Sequence, residues 1–336
     1  MTNIFITGIA GFLGSHLADH LIKMGYTVKG NDNLIGGYIN NVPADAEFFE
    51  IDCNDNEALT KAMAGSDIVV HCAATAYEGL SVFSPTFIVK NVMEASTSVV
   101  SAAIQNQVKR IVYCSSMARY GNQPTPFTED MTPMAVDPYG VSKVAGEQVL
   151  KHLCNINGIE WNIAVPHNII GSRQKYDDPF RNVVSIMINR CLQNKPPIIY
   201  GDGTQQRCFS YVDDCIFCLI KLIVDPDLKS LIVNIGPDEE FVTINDLASL
   251  VMELVGYNGT PLYVDSRPLE VSLALCSSDL ARKLLNYQTT TSLREAVIKT
   301  IEYIKANGVR PFEYKLPIEI KNNLTPITWK NEYFNK

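Results

Sequence analysis

The stretch ITGIAGFLGSH, residues 6–16, constrains this chain more than any other, because it joins a short apolar run, NIFIT, to a helical pattern through glycines at 8, 11 and 14. Gly8 permits a tight turn, Gly11 lets the backbone approach a pyrophosphate, and Gly14 lets the following helix pack close to the strand. A helix opening there presents the N–H groups around Gly11, Phe12 and Leu13 at its positive end, where an anion is favoured. Leu13, Leu17 and Leu21, with Ala18 and Ile22, mark one helical stripe. Such a stripe needs a sheet to lie on.

The first half of the chain supplies that sheet. YTVKGN, EFFEI, DIVVHCA, KRIVYCS and WNIAVP are apolar enough for strands buried on both faces, the situation of a parallel sheet. Strands alternate with helical patterns, so the expected class is α/β with a doubly wound parallel sheet. After about Pro166 the rhythm changes. PPIIYGDG, CFSYV and LIVNIG are separated by loops rich in Gly, Pro and Asp, and by helical segments near 180–194, 213–224, 243–256 and 291–307. The expected division is a nucleotide-binding domain over 1–166 and a smaller mixed α/β domain over 167–336, with some of its segments returning to pack on the first. The end, PFEYKLPIEIKNNLTPITWKNEYFNK, has no amphipathic period and carries no functional reading.

Charge narrows the partners. A net charge of -8 without a dense Lys/Arg run argues against nucleic acid or an anionic membrane surface. The start lacks the pattern of a signal peptide and no stretch approaches twenty apolar residues, so a cytoplasmic location is expected. The nine cysteines are scattered through strand and helix patterns and read as free buried thiols. Cys215 and Cys218 form a CxxC without a second pair, which suits core packing better than a metal, and no metal is expected.

Asp32, in VKGNDNL at the end of the second strand, can accept hydrogen bonds from ribose hydroxyls and repel a 2′-phosphate. No arginine stands beside it in sequence, which selects NAD over NADP; Asn33 follows it. Asp52, after FFEI, either reaches the adenine amino group or closes a plain turn, with Cys53 beside it. Ala73 and Ala74, in HCAA, are small residues where the cofactor backbone would pass, and His71 before them reads as a packed side chain.

DPYGVSKVAGEQ places Tyr139 and Lys143 four residues apart, hence on one helical face, about 5–6 Å from each other at Cβ. A free tyrosine titrates at about 10. A neighbouring ammonium and a positive nicotinamide are expected to lower this by roughly one to three units, which makes Tyr139 a general base. Ser116, in CSSMARYGN, would hydrogen-bond the same substrate oxygen, and Lys143 would also hold the nicotinamide ribose.

With TGIAGFLGSH, DNL, HCAA, NVMEAS, SSMARYG, YGVSK, YGDGTQQRCFSYVDD, VNIG and SRPLEV, the sequence resembles the extended short-chain dehydrogenase/reductase family, specifically its nucleotide-sugar epimerases and dehydratases. The resemblance implies a Rossmann-type sheet holding NAD, a smaller substrate domain, and a homodimer formed through the helix of the Tyr–Lys pair. It places Asn91 near that pair, Asn168 and Asn182 at the substrate diphosphate, and Tyr200 near the nucleotide base. Arg207 and Arg267 would neutralise the diphosphate, a task suited to guanidinium. Cys208 stands where the family usually has Asp. Asp213 and Asp214 fit the family's YVDD and read chiefly as helix caps. Ala274 aligns with a gate over the hexose C2 substituent, and Lys175 either meets a C6 carboxylate or is a solvated loop lysine.

In the implied chemistry, Tyr139 takes the proton of the sugar C4 hydroxyl while hydride leaves C4 for NAD+, giving a bound 4-keto sugar. Dehydratases of this kind carry an Asp-Glu pair in the two places after the catalytic Ser/Thr, and the decarboxylating branch keeps a Glu at the second. Here those places hold Met117 and Ala118, which move no proton. The remaining route is rotation of the keto sugar and hydride return to its other face, a 4-epimerisation of a UDP-hexose, UDP-N-acetylhexosamine or UDP-uronic acid. A carboxylate arriving from another loop would reopen the choice.

Overall fold

The apolar runs become six parallel strands, β1 (Asn3–Thr7), β2 (Thr27–Asp32), β3 (Glu47–Glu50), β4 (Ile68–His71), β5 (Arg110–Cys114) and β6 (Glu160–Pro166), in a computed structural model that describes residues 2–336. A seventh strand, Leu231–Ile235, joins β6, and the order across the Rossmann-like sheet is β3-β2-β1-β4-β5-β6 and then this strand, every pairing parallel. β2 and β4 flank β1 on opposite sides, so the chain reverses its direction of winding there. The crevice above the carboxyl ends of β1 and β4 is the place such a sheet offers a ligand.

Both faces are covered. Helix α1 (Phe12–Lys23) sets Leu17, Ala18 and Leu21 against Ile4, Ile6 and Val70, while α2 (Asn56–Met63) and the helix Ala95–Gln105 cover Phe5, Val69 and Ile111 on the opposite face. These side chains are almost fully buried, and each large one contributes about 1.5–3 kcal/mol of hydrophobic stabilisation.

The run Pro85–Gln105 is long and apolar enough to cross a membrane by length and composition, contrary to the expectation that no stretch approaches that limit. Its apolar character has another physical origin, since Val99, Val100, Ala102 and Ala103 lie in the core against the sheet.

The later helices form at Val183–Leu192, Val212–Val224, Ile244–Val255 and Leu293–Asn307, close to their expected places. The last two begin in capping boxes, Thr243 with Asp246 and Ser292 with Glu295. LIVNIG does not stay with them but leaves the second half to extend the main sheet. Buried Asn162 of β6 anchors it there, accepting from Leu231 N at 3.2 Å and donating to Leu222 O and Leu228 O. The remaining strands are short pairs or triplets, such as Gln206–Arg207 between Val242–Thr243 and Leu273–Ala274.

Asp213 and Asp214 do not cap. They fall in the first turn of Val212–Val224, whose N-cap is Tyr211. Buried Asp214 instead holds the loop at Thr290 and Thr291, accepting from both backbone N–H groups. All nine cysteines are free thiols, with Cys215 and Cys218 in the core. The tail has no helical period because single large side chains hold it: Phe312, Trp329 and Phe334 are buried, and Trp329 packs edge-on against Phe83 and Phe180.

Candidate functional site

A cavity of about 440 Å³ opens above the carboxyl ends of β1 and β4. Gly8 sits at φ +74, and a Cβ there would come within 2.9 Å of Ala73 backbone. At Gly14 a Cβ would lie 2.2 Å from Gly8 O. These contacts are too close for any side chain, so the turn is shaped for glycine. Gly11 is the N-cap of α1 with no side-chain cap, and the first turn carries no acidic residue. Gly11's own N–H is spent on Gly8 O at 3.0 Å, which corrects the expectation that it is open. The N–H groups of Phe12, Leu13 and Gly14 have no partner among the described residues and begin the helix at the cavity wall. An uncapped helix start beside a cavity suits a pyrophosphate.

Asp32 ends β2 with its carboxylate accepting from Ala10 N at 3.1 Å and Leu34 N at 2.8 Å. Burial raises its pKa, and these hydrogen bonds pull the other way. One lone pair on each oxygen remains for a ribose. Asn33 donates to Asp52 Oδ2 at 2.8 Å, and Cys53, its thiol pushed up to about 12 by burial, lies under the same end of the cavity. Ala73 and Ala74 form the opposite wall, with Ala73 N donating to Thr7 Oγ1. His71 bonds Thr7 at 2.7 Å and Ser96 at 3.0 Å, and burial drives it down to about 3, so it is a neutral packed imidazole. The glycine turn, the free N–H groups and Asp32 together fit NAD.

An arginine does reach this end, which the sequence neighbourhood of Asp32 does not reveal. Arg181 donates to Gly36 O at 2.6 Å, stacks on the Tyr77 ring at 5.0 Å and faces Asp178 at 3.6 Å. Asp178 opposes its charge, while its Nε has no hydrogen-bond partner among the described residues.

Ser116, Tyr139 and Lys143 converge at the inner end. Ser116 caps the short turn Met117–Tyr120, accepting from Ala118 N at 3.2 Å, and its hydroxyl faces the Tyr139 phenol. Asp137 and Pro138 open the helix Pro138–Asn157, with Asp137 accepting from Gly140 N at 2.9 Å, and this puts Tyr139 in its first turn. Lys143 donates to Cys114 O at 2.7 Å, and burial lowers it to about 8. The expected lowering of Tyr139 is not what the chain alone produces. Burial raises its pKa, Glu78 adds to this, and Ser116 and Arg181 oppose it. Lys143 Nζ stands 6.0 Å from the tyrosine ring centre. Asn91, in the π-helical turn Lys90–Glu94, donates to Phe87 O and borders the same space.

Asn168, Asn182, Tyr200, Arg207 and Arg267 line the outer half of the cavity. Asn168 (φ 44) and Asn182 (φ 62) are both left-handed. Asn168 donates to Cys208 O at 2.9 Å, so the carbonyl of Cys208, independent of side chain, does the local work there. Arg207 donates to Val271 O at 2.6 Å. Arg267 lies 4.4 Å over the Tyr200 ring and pairs with Glu270 at 3.1 Å, while the Tyr200 hydroxyl meets Thr328 of the tail at 2.6 Å. Ala274 does not border the main cavity. It lines an adjoining pocket of about 90 Å³ with Met117, Ala118 and Glu78. Lys175 is outside both, 3.5 Å from Asp177 and over the Tyr38 ring, so it is no partner for a sugar carboxylate.

Sequence reasoning missed Glu78, Arg181, Glu270 and Phe334, all on the cavity wall. Only Glu270 left a local signal, as an i,i+3 partner of Arg267 within SRPLEV.

Fold and site together define a dinucleotide-binding protein of the Rossmann class with a Ser–Tyr–Lys set at the inner end of its cavity. Residues 4–236 match the NAD dependent epimerase/dehydratase family, and the chain belongs to it. A putative UDP-glucose 4-epimerase of Methanocaldococcus jannaschii is 31% identical, over 91% of this chain and 99% of that protein. The UDP-glucose 4-epimerase of Thermotoga maritima, solved with UDP-glucose, superposes with TM-score 0.86 at 30% identity, covering 91% and 99% of the two chains. The UDP-glucuronic acid 4-epimerase of Bacillus cereus, solved with UDP-glucuronic acid and NAD, gives TM-score 0.84 at 28% identity, covering 91% and 100%. The cofactor of this nucleotide-sugar epimerase/dehydratase family is NAD.

Proposed function

We propose that this protein is an NAD-dependent UDP-sugar 4-epimerase. The observation that carries this reading is the company Ser116, Tyr139 and Lys143 keep. They share one cavity with Arg207 and Arg267, while Met117 and Ala118 beside them offer no group that moves a proton. NAD, when bound, supplies reversible hydride acceptance and return at C4. The phenol of Tyr139 and the hydroxyl of Ser116 hold the proton of the C4 oxygen, Lys143 fixes the ribose and the local charge, and the two arginines hold the diphosphate. Asn168, Asn182 and Tyr200 orient the nucleotide, and the side pocket at Ala274 leaves room beside the sugar.

One observation favours a second reading. Glu78 lines the side pocket with Met117 and Ala118, and it is a carboxyl from another loop. Elimination of water across C5 and C6 needs both a base and an acid, however, and of the other carboxylates at this pocket Asp137 is engaged by Gly140 N and the Ser81 hydroxyl and Glu270 by Arg267. A single free carboxyl fits epimerisation better.

Incubation with UDP-glucose, UDP-N-acetylglucosamine and UDP-glucuronate is expected to give a C4 isomer of unchanged mass from at least one of them. Loss of water or carbon dioxide, read by mass spectrometry, sinks the epimerase reading.

The same reading carries a homodimer through the Tyr139 helix. Val141 on that helix is 54% exposed, and Val89 and Met93 on the adjacent helical run are 40% and 37% exposed. Sedimentation is expected to show a dimer that Val141→Glu converts to monomer, and a monomeric parent protein would refute it.

A further inference from the structure

Glu78 has no role in the scheme above. It opens the short helix Glu78–Ser81, directly after Tyr77, whose hydroxyl donates to Asp178 at 2.6 Å. Its carboxylate borders both the main cavity and the side pocket, open to them yet ringed by protein. Asp137 and Tyr139 face it from the helix Pro138–Asn157, Arg207 from the strand Gln206–Arg207, and Arg267 and Glu270 from the loop that follows Leu262–Val264.

Those neighbours locate it. Tyr139 marks the reacting C4 in the proposed function, and Arg207 with Arg267 marks the diphosphate. Glu78 lines the cavity together with all three and so borders the stretch that the hexose would span between them. The cations near that stretch have other partners: Arg267 pairs with Glu270, Arg207 donates to Val271 O, Lys143 donates to Cys114 O, and Arg181 donates to Gly36 O and faces Asp178 at 3.6 Å with its Nε unpartnered among the described residues. With Arg207 and Arg267 given to the diphosphate, a negative charge on the hexose itself lies beside Glu78, whose carboxylate has no ion pair among the described residues.

We infer that Glu78 selects the sugar, accepting hydrogen bonds from hexose hydroxyls and turning away a ring that bears a C6 carboxylate, so that the substrate class is an uncharged UDP-hexose. This rests on the nucleotide-sugar reading of the cavity. Burial and the charge of Asp137 raise Glu78 to about 7 against the pull of the two guanidiniums. Above that pH the carboxylate is anionic and repels a uronate; below it the group is neutral and the repulsion fades.

The test is calorimetric titration of the NAD-loaded full chain with UDP-glucose and with UDP-glucuronate, near pH 8.5 and near pH 5.5, for the parent protein and Glu78→Gln. At the higher pH the parent is expected to bind UDP-glucose about tenfold or more tightly than UDP-glucuronate. At the lower pH this ratio should shrink about threefold or more, and Glu78→Gln should show the small ratio at both. Equal binding of the two sugars by the parent at the higher pH overturns the assignment. So does a ratio whose pH dependence survives in Glu78→Gln, because it then belongs to Asp137 or Glu270. The pH arm uses the parent protein, so a poorly folded variant does not decide the matter. Binding of neither sugar overturns the nucleotide-sugar reading itself and takes this inference with it.

Discussion

Tyr139→Phe is expected to lower turnover of the nucleotide sugar by roughly 10²–10⁴-fold, the usual contribution of a positioned acid–base group, while NAD content and melting temperature stay near those of the parent. The ring of Tyr139 belongs to the apolar cluster that includes Tyr77, Leu80 and Phe180, and phenylalanine keeps its place there. Only the hydroxyl that faces Ser116 is lost. The chain alone keeps the phenol protonated, since burial and Glu78 both favour the neutral form, so the proton it shares with the C4 oxygen is the one the variant removes. Isomer production within about threefold of the parent, with NAD retained, would falsify the assignment of Tyr139.

The second large effect concerns stability. Arg119 is 2% exposed and pairs at 3.0 Å with Glu147, which is fully buried. Arg119 also donates to the Tyr120 hydroxyl at 3.1 Å, Tyr120 donates to Asn234 at 2.8 Å, and Ser115 donates to Glu147. This network fixes the corner on which Ser116 stands. Arg119→Leu leaves a buried carboxylate without its cation and is expected to cost about 3–5 kcal/mol. Replacing both partners, as Arg119→Leu with Glu147→Leu, should recover much of the loss because no buried charge remains. Urea unfolding at fixed NAD concentration measures both. A single variant within about 1 kcal/mol of the parent would show that the pair does not hold the corner.

The glycine turn was legible because its demands are local. A positive φ at Gly8 and the closeness of Gly14 to Gly8 O are properties of one strand-to-helix connection, and nearby residues express them. The Tyr139–Lys143 pair was legible for the same reason, being four residues apart on one helix. The doubly wound sheet followed from runs apolar on both faces, and the position of Asp32 followed from the end of β2. Arg119 was different. CSSMARYGN shows an arginine in a corner, and nothing in that stretch reveals that Glu147, a helix away, neutralises it. Lys175 shows the converse: its stretch left a sugar carboxylate and a loop lysine both open, and only the fold shows it outside the cavity beside Asp177.

Sequence alone therefore determined the fold class and the cofactor turn and offered the Ser116, Tyr139 and Lys143 set proposed here for the reaction, all of which depend on periodicity or on contacts within a few positions. Tertiary structure decided what surrounds the sugar. Glu78 arrives after β4, Arg181 from the loop before Val183–Leu192, Glu270 from the loop before Leu273–Ala274 and Phe334 from the tail, and all of them meet on one cavity wall. Charge acts through space, so whether a carboxyl repels a substrate or an arginine is already spent depends on groups hundreds of residues apart. Met117 and Ala118 gave the absence of proton-moving groups at their own positions, and only the folded chain supplied the carboxyl that stands beside them.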